Sequence, residues 1–415
     1  MGISFIKKKI EITRDTDTFE TREGDNINGG FDMDSLAGQI ELELPYQFTV
    51  SQKEIDESTT SGIVSFRLKK FDFLKLYYAD LDSDREPTDD EWIVIFDGYV
   101  DNVKLVKTKT SIKYNVLGFG TLALSNSRTI SRNVEAQPIN NMPNTLLQRC
   151  NLQSGAENEV SPDQQNNIIT SDNVFVELSN SGMGQITAKS VGAKNAKEAI
   201  LEFKTRYGLI FHQLMDGRVL VTSPFEIINR NSVAAWEFDT EDNVFELDYG
   251  DLTSNIDGVI VFGREGAIGK AIDLTAVRNK NVPTDSSGRY KGNFLRIERR
   301  DLYGEHDLDK VAREILLEQT RNYSITFKTT FDPNFIIGQA FTINDHDIYS
   351  GEELFFIKSF NYIISKGDVS CNITGYTHQL TTLPENIVIG ATGLADVDAF
   401  GIRDKIEAGN WTGFN

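Results

Sequence analysis

Thiols and imidazoles are scarce in this chain of 415 residues, which holds 2 cysteines and 4 histidines. Cys150 and Cys371 stand in unrelated segments, outside any C-x-x-C or Cys/His cluster, and His212, His306, His346 and His378 are scattered without metal-ligand spacing. That excludes a zinc ribbon and a redox dithiol, and leaves the thiols as small buried apolar groups. G-x-S-x-G, H-E-x-x-H and the phosphate-binding P-loop are missing, so the signatures of the commonest esterases, zinc proteases and nucleotidases do not apply. No apolar run reaches the length that spans a bilayer, and residues 1–9 place their lysines after a very short apolar stretch, the reverse of a secretory signal. The expectation is a chain made in a cytosol, staying there at least at first, with no membrane insertion and no cofactor.

Basic residues are also short: 42 Lys and Arg against 62 Asp and Glu give a formal charge of −20. Non-specific affinity for nucleic acid comes from neutralising phosphates, so this balance argues against tight nucleic-acid binding. An acidic wall repels a passing polyanion, which suits a surface that DNA slides past; solubility alone is the plainer account of the charge.

What the chain does have is aromatic and β-branched residues in short runs, with 26 Phe and 13 Tyr against 9 Pro and 5 Met. Such runs favour strands, and the length allows about two to four domains. Residues 1–130 read as a first antiparallel β-module, with strand patterns such as Gln39 to Leu44 and a long pair from Trp92 to Val106 and Ser111 to Leu117. Residues 131–230 read as a small α/β domain. Its helix starts at the N-cap Asn195, carries Ala196, Ala199, Ile200 and Phe203 on one face, and stops before Gly208; a hairpin turning at Asp216-Gly217 follows. Residues 231–382 read as a second β-module with an exposed excursion at about 264–305 and a helix from Leu308 to Thr320 capped by Asp307. Residues 383–415 carry little apolar mass and read as an extended tail that lies on another surface or is ordered by a partner.

An internal echo links the two β-modules. Ser111 to Phe119 lines up with Asp368 to Tyr376 at a spacing of 257 residues, with Asn115 on Asn372, Gly118 on Gly375 and apolar residues at matching alternate places. Upstream, Trp92 to Phe96 matches Leu354 to Ile357 if the connection between the strands is three residues shorter in the second copy. Residues 91–119 and 353–376 are therefore expected to be equivalent strand pairs.

Two acidic clusters are candidates for chemistry. Asp80, Asp82, Asp84, Glu86 and Glu91 occupy calcium-loop positions of a twelve-residue window, yet Arg85 replaces the turn glycine and Pro87 stiffens the loop, so a solvated acidic loop is the favoured reading. Asp345-His346-Asp347 is the best local arrangement for acid–base catalysis, but it falls at a predicted turn where Asp and His are ordinary. No catalytic residue is assigned.

The order of parts resembles the baseplate hub of contractile-tailed bacteriophages, the late control protein D type, related to the hub half of type VI secretion spike proteins. The residues that carry the resemblance are Phe96-Asp97-Gly98-Tyr99-Val100-Asp101-Asn102-Val103, then Ala196 to Leu201 with Tyr207 to Phe211 and Asp216 to Val219, then Val311 to Gln319, Gly338 to Ile343 and Phe356 to Phe360. Asp80 to Glu91 and the chain after Pro384 have no counterpart in that pattern. The resemblance implies a mainly β fold with an α+β insertion: two related antiparallel β-barrel modules like those of tail tubes, plus the small α/β domain. It also implies a homotrimer whose barrels form a pseudo-sixfold ring around a channel, whose lining the chain's charge of −20 leads us to expect net acidic, partnering the tail tube protein and the central spike, with tape-measure and wedge proteins as further candidates. Such a protein is structural, sits in the virion baseplate and is assembled in the host cytoplasm. The alternatives are a tail-associated wall-degrading hydrolase and a distal tail protein of a non-contractile phage.

Overall fold

Strict alternation of apolar and polar residues sets the architecture. A computed structural model of the protein describes residues 5–14, 17–46, 48–52, 62–64, 67–109, 111–130, 134, 137–150, 152, 169, 171–178, 187–188, 195–231, 233–251, 256–273, 294–299, 305–319, 321–345, 349–350, 354–366, 368–378 and 387–389. The first module contains β1 (Phe5–Arg14), β2 (Asp17–Thr21), β3 (Asp25–Asp32), β4 (Gln39–Pro45), β5 (Phe48–Gln52), β6 (Gly62–Val64), β7 (Phe73–Leu81), β8 (Ile93–Lys107) and β9 (Ile112–Gly120). In β4, Ile40, Leu42 and Leu44 are buried while Gln39 and Glu41 face solvent, the period-2 pattern of a sheet with one wet face. The pairing runs β3-β4-β9-β8-β7-β1-β2, all antiparallel.

The α/β part follows, with β10 (Gln137–Pro138), α1 (Met142–Arg149), β11 (Val174–Glu177), β12 (Thr187–Ala188), α2 (Ala196–Tyr207), β13 (Ile210–Gln213), β14 (Val219–Thr222) and α3 (Pro224–Arg230). Helix α2 starts where Asn195 accepts hydrogen bonds from the backbone of Lys197 and Glu198, and it ends at Gly208, whose φ of 64° suits the left-handed cap. The hairpin β13–β14 turns through Gly217 at φ 87°, and β11 adds to β14 in parallel, a pairing the sequence pattern did not reveal.

The second module begins with β15 (Trp236–Asp239) and β16 (Glu246–Asp251). An insertion then builds β17 (Gly258–Phe262), β18 (Ile268–Asp273), β19 (Phe294–Glu298) and α4 (Glu305–Gln319). The module resumes with β20 (Arg321–Thr330), β21 (Ala340–Asp345), β22 (Tyr349–Ser350), β23 (Phe355–Ser365) and β24 (Asp368–His378), and β25 (Ile387–Ile389) comes last. Strands β18 and β19 lie inside the stretch read from sequence as an exposed excursion; both pair with β17, and α4 packs across β17 and β18. Residues 274–293 of that stretch lie outside the described residues. Helix α4 begins at Glu305, ahead of Asp307, so Asp307 is a helical residue and not its cap. The expected tail also changes character at its start, because β25 pairs antiparallel with β18 and so belongs to the inserted sheet.

Among the described residues both modules share one sheet of 16 strands, joined where β23 pairs with β3. One core lies under this sheet and draws on both modules, from Ile10 and Leu76 to Phe341 and Ile373. A second core gathers Phe203, Tyr207 and Phe211 of the α/β part with Val259 and Val261 of β17 and Val311 and Leu316 of α4. The inserted sheet therefore packs with the α/β part. The fold is mainly β, with antiparallel modules and few helices, as the sequence pattern led us to expect. No described helix is long and apolar enough to cross a membrane.

Candidate functional site: the seam between the modules

The two hairpins of the echo have the same register. In β8–β9, Gly118 faces Val100 and Leu117 faces Asn102, with Asp101 bulged between them; in β23–β24, Gly375 faces Ile357 and Thr374 faces Ser359, with Lys358 bulged. Asn115 faces Lys104 and Asn372 faces Asn361, so the two asparagines occupy equivalent places. The aromatic pairs Tyr99–Phe119 and Phe356–Tyr376 correspond as well. The expected three-residue shortening of the connection is absent: Lys107 pairs with Ile112 as Ile364 pairs with Val369, and the single sequence spacing holds through both strands. Trp92 to Phe96 is thus not the counterpart of Leu354 to Ile357. A bulge flips the inward phase of a strand, and alternation read without it slides out of register.

At the seam, Asn361 faces Gly30, Tyr362 faces Gly29 and Ile364 faces Ile27. Glycine is required at Gly29, because a Cβ there would come 2.1 Å from Cζ of the buried Tyr362 ring. The Tyr362 hydroxyl crosses under the sheet and donates to the Ile95 carbonyl at 3.1 Å, so this ring ties β23 to both β3 and β8. Burial, with the Cys371 thiol nearby adding to it, pushes its pKa well above the ordinary phenol value. Phe31 stacks on Phe360 with centroids 5.4 Å apart.

The short link from Met33 to Gly38 between β3 and β4 is where all three parts meet. Met33 N–H donates to the Lys358 carbonyl at 2.9 Å, Lys204 of α2 donates to the Met33 carbonyl at 2.9 Å, and Gln213 N–H donates to the Leu36 carbonyl at 2.9 Å. The Gln213 side chain accepts from Leu122 N–H at 2.8 Å and donates to the Asp97 carbonyl at 3.2 Å. His212 is fully enclosed, with Nδ1 3.0 Å from the Ser35 carbonyl. Burial drives its pKa down to about 4, so it is neutral near pH 7, and the Nδ1 proton is the one that satisfies Ser35. The sequence offered one signal for this junction: two polar residues inside the apolar run Ile210 to Leu214.

The segment Phe96 to Val103 is part of the same joint. Asp97 lies 3.0 Å from Lys75 and against Gly217, and burial raises its pKa while Lys75 opposes the shift. A Cβ on Gly98 would meet the Phe119 carbonyl at 2.2 Å, which explains glycine there. Gly338, at φ 86°, turns the chain so that Gln339 can accept from Trp236 Nε1 at 2.9 Å and from Ile336 N–H at 3.0 Å.

The polar face of the sheet is open. Asn28, Glu41, Asn102, Lys104 and Asn115 are exposed on the first module, and Asn361, Asn372, Thr326, Glu246 and Asp248 on the second. Lys113 meets Glu43 at 2.6 Å on this surface. The face is amide-rich with both signs of charge, so the chain's −20 is not concentrated there.

The acidic loop does not gather its carboxylates. Asp84 pairs with Lys7, Glu86 pairs with Arg22, and Glu91 takes Arg85 as a partner with one contact at 2.7 Å while also accepting from Thr88 N–H at 2.8 Å. Arg85 and these hydrogen bonds hold the Glu91 pKa down at about 2. No group of three or more potential metal ligands occurs among the described residues. Asp345 accepts from the Tyr249 hydroxyl at 3.1 Å; His346 and Asp347 lie outside the described residues. Cys150 and Cys371 are buried free thiols, and burial pushes Cys150 up to about 12 and Cys371 higher still.

No protein-family model matches the sequence, and no curated protein matches it either. Solved structures do. A tail protein from Neisseria meningitidis MC58 aligns with TM-score 0.58 at 12% identity, over 89% of this chain and 96% of its own. The prophage MuSo2 43 kDa tail protein from Shewanella oneidensis aligns with TM-score 0.54 at 13% identity, over 89% and 98%. The prophage tail protein gp18 from Listeria monocytogenes EGD-e aligns with TM-score 0.50 at 9% identity, over 90% and 95%. The chain therefore has the fold of bacteriophage tail proteins along nearly the whole length of each.

Proposed function

We propose that this protein is the structural hub of a phage tail baseplate. In this reading three copies form a ring in which two like modules per chain present six similar faces, one side docking on the hexameric tail tube and the other carrying the trimeric spike. Residues 1–130 and 231–382 supply the ring modules, while residues 131–230 and the inserted sheet stand beside them. The genome passes through the centre, and no residue performs covalent chemistry. Tape-measure and wedge proteins are the further partners, and the virion tail is the location.

The observation that carries this reading is the pair of hairpins with identical register and identical bulges, set in one continuous sheet. A chain that repeats a module and joins the copies edge to edge is suited to matching a sixfold partner with three subunits. The fold shared with tail proteins supports the setting. Light scattering on the purified full chain tests it: a mass of three chains is expected, and a monomer at every concentration up to the limit of solubility would overturn it.

A further inference from the structure

A groove runs where the hairpin β13–β14 meets both β-modules. Its larger half, about 530 Å3, opens between Trp92 just ahead of β8, the β13–β14 turn and the link from Pro333 to Gln339 that precedes β21. A smaller half of about 260 Å3 shares Leu214, Arg218 and Gln339 with it and continues to Phe175 and Glu177 of β11 and to Arg230 and Asn231 after α3. Clefts of this size are typical of small-molecule sites. The floor is apolar, with Phe31, Phe335 and Phe360 buried. An aromatic ring stands at each end. Trp92 is partly exposed and braced by the first module, with Lys9 Nζ 5.5 Å and Arg22 Cζ 6.0 Å from its ring centre. Phe175 is 39% exposed, with the Arg218 guanidinium 5.3 Å from its ring centre.

Between the two rings the polar groups are balanced in charge and in hydrogen-bonding sense. Arg218 pairs with Asp216 and Arg230 with Glu177, so the charged residues that line the groove cancel. Asp216 occupies Arg218 Nε, which leaves the Nη groups as donors without a partner among the described residues. Gln339 Oε1 accepts from Trp236 and from Ile336 N–H, which leaves its Nε2 as a second open donor. Asn231 Nδ2 donates to the Ile227 and Gly338 carbonyls, which leaves its Oδ1 as an acceptor. His212, part of the floor, keeps Nε2 as a further acceptor with no partner among the described residues. Open donors and acceptors side by side match hydroxyl groups, which do both. An acyl chain would leave them unmet, and a polyanion would find no net positive charge. We propose that this groove binds a neutral oligosaccharide, with sugar rings resting against Trp92 and Phe175 and hydroxyls bonding to Arg218, Gln339 and Asn231. The amphipathic aromatic rings take the apolar C–H faces of the sugar, and the amides and guanidinium take its edges.

Calorimetry on the purified full chain tests this with three probes: cellotetraose, maltotetraose and the tetramer of N-acetylglucosamine. At least one is expected to bind with a Kd on the order of 1 mM. Trp92→Ala should weaken that binding about tenfold and Phe175→Ala about threefold, while Trp92→Phe stays within about twofold of the unmodified protein. Phe175→Ala is the decisive variant, because Phe175 lies at the surface and its loss leaves the fold in place. Unchanged affinity in both alanine variants overturns the placement of the sugar. No heat from any of the three probes at about 10 mM overturns the proposal itself. So does binding of the apolar dye 8-anilinonaphthalene-1-sulfonate that none of the saccharides displaces, which would make the cleft an apolar docking groove. The groove lies within one chain, so its failure leaves the hub reading standing, and a monomer that still binds sugar sinks the hub reading alone.

Discussion

His212 shows how one residue at the junction sets a pH response. Its folded pKa, near 4, lies below the ordinary value of about 6.5, so the unfolded chain takes up a proton first as pH falls. The stability it contributes is complete above about pH 6.5 and is lost progressively down to about pH 4. We expect that loss to reach roughly 2 kcal/mol between pH 7 and pH 5. His212→Asn keeps a donor near the Ser35 carbonyl and does not titrate, so its melting temperature should fall less over that interval than that of the unmodified protein. Equal slopes would mean that another group controls the response. Gly29 is the second such residue. Gly29→Ala drives a methyl into the locked Tyr362 ring, an overpacking expected to cost about 2 kcal/mol or more by denaturant titration. Adding Tyr362→Leu should recover part of that loss.

Local signals made some elements readable and non-local pairing hid others. The ends of α2 were legible because Asn195 and Gly208 act on their own helix, through side-chain capping and a positive φ. The Asn/Gly echo was legible because Asn115 and Asn372 hold one place in the same hairpin. The equivalence upstream of Asp101 and Lys358 was not, since a bulge changes phase without a residue type that marks it. Strands β18 and β19 were missed because Ile268–Asp273 and Phe294–Glu298 are short, and β19 takes its place only by pairing in parallel with β17, across chain it does not adjoin. The junction at Met33 to Gly38 was marked only by His212 and Gln213 inside an apolar run, since its partners Lys204, Gln213 and Lys358 are far away in sequence. Strand β25 gives the prediction at this scale. Ending the chain after Thr382 removes the ladder partners of Ala271, Ile272 and Asp273 and uncovers the edge of β18. The melting temperature should drop, and the amides of β18 should exchange with deuterium faster. Unchanged exchange there would show that β25 adds nothing to the sheet.

At the scale of the whole molecule, charge and function can be separated by experiment. The open face mixes Glu41, Glu43 and Asp248 with Lys104 and Lys113 among many amides, while the chain as a whole carries −20. Neither offers the dense positive surface that counterion release requires. Purified protein is therefore expected to leave duplex DNA unshifted at micromolar concentration in about 0.15 M salt. Salt-sensitive binding below a micromolar would contradict this.

The two copies of the module also differ in what they tolerate between equivalent strands. From β3 to β4 the chain crosses by the short link Met33 to Gly38, whereas from β16 to β20 it detours through a sheet and a helix. Separate identical subunits could not accept such a detour at only half their positions. Duplication inside one polypeptide fixes the ratio of the two forms at one to one during synthesis, with no sorting step. Each copy is then free to diverge on its own, and only the second carries the inserted sheet and helix.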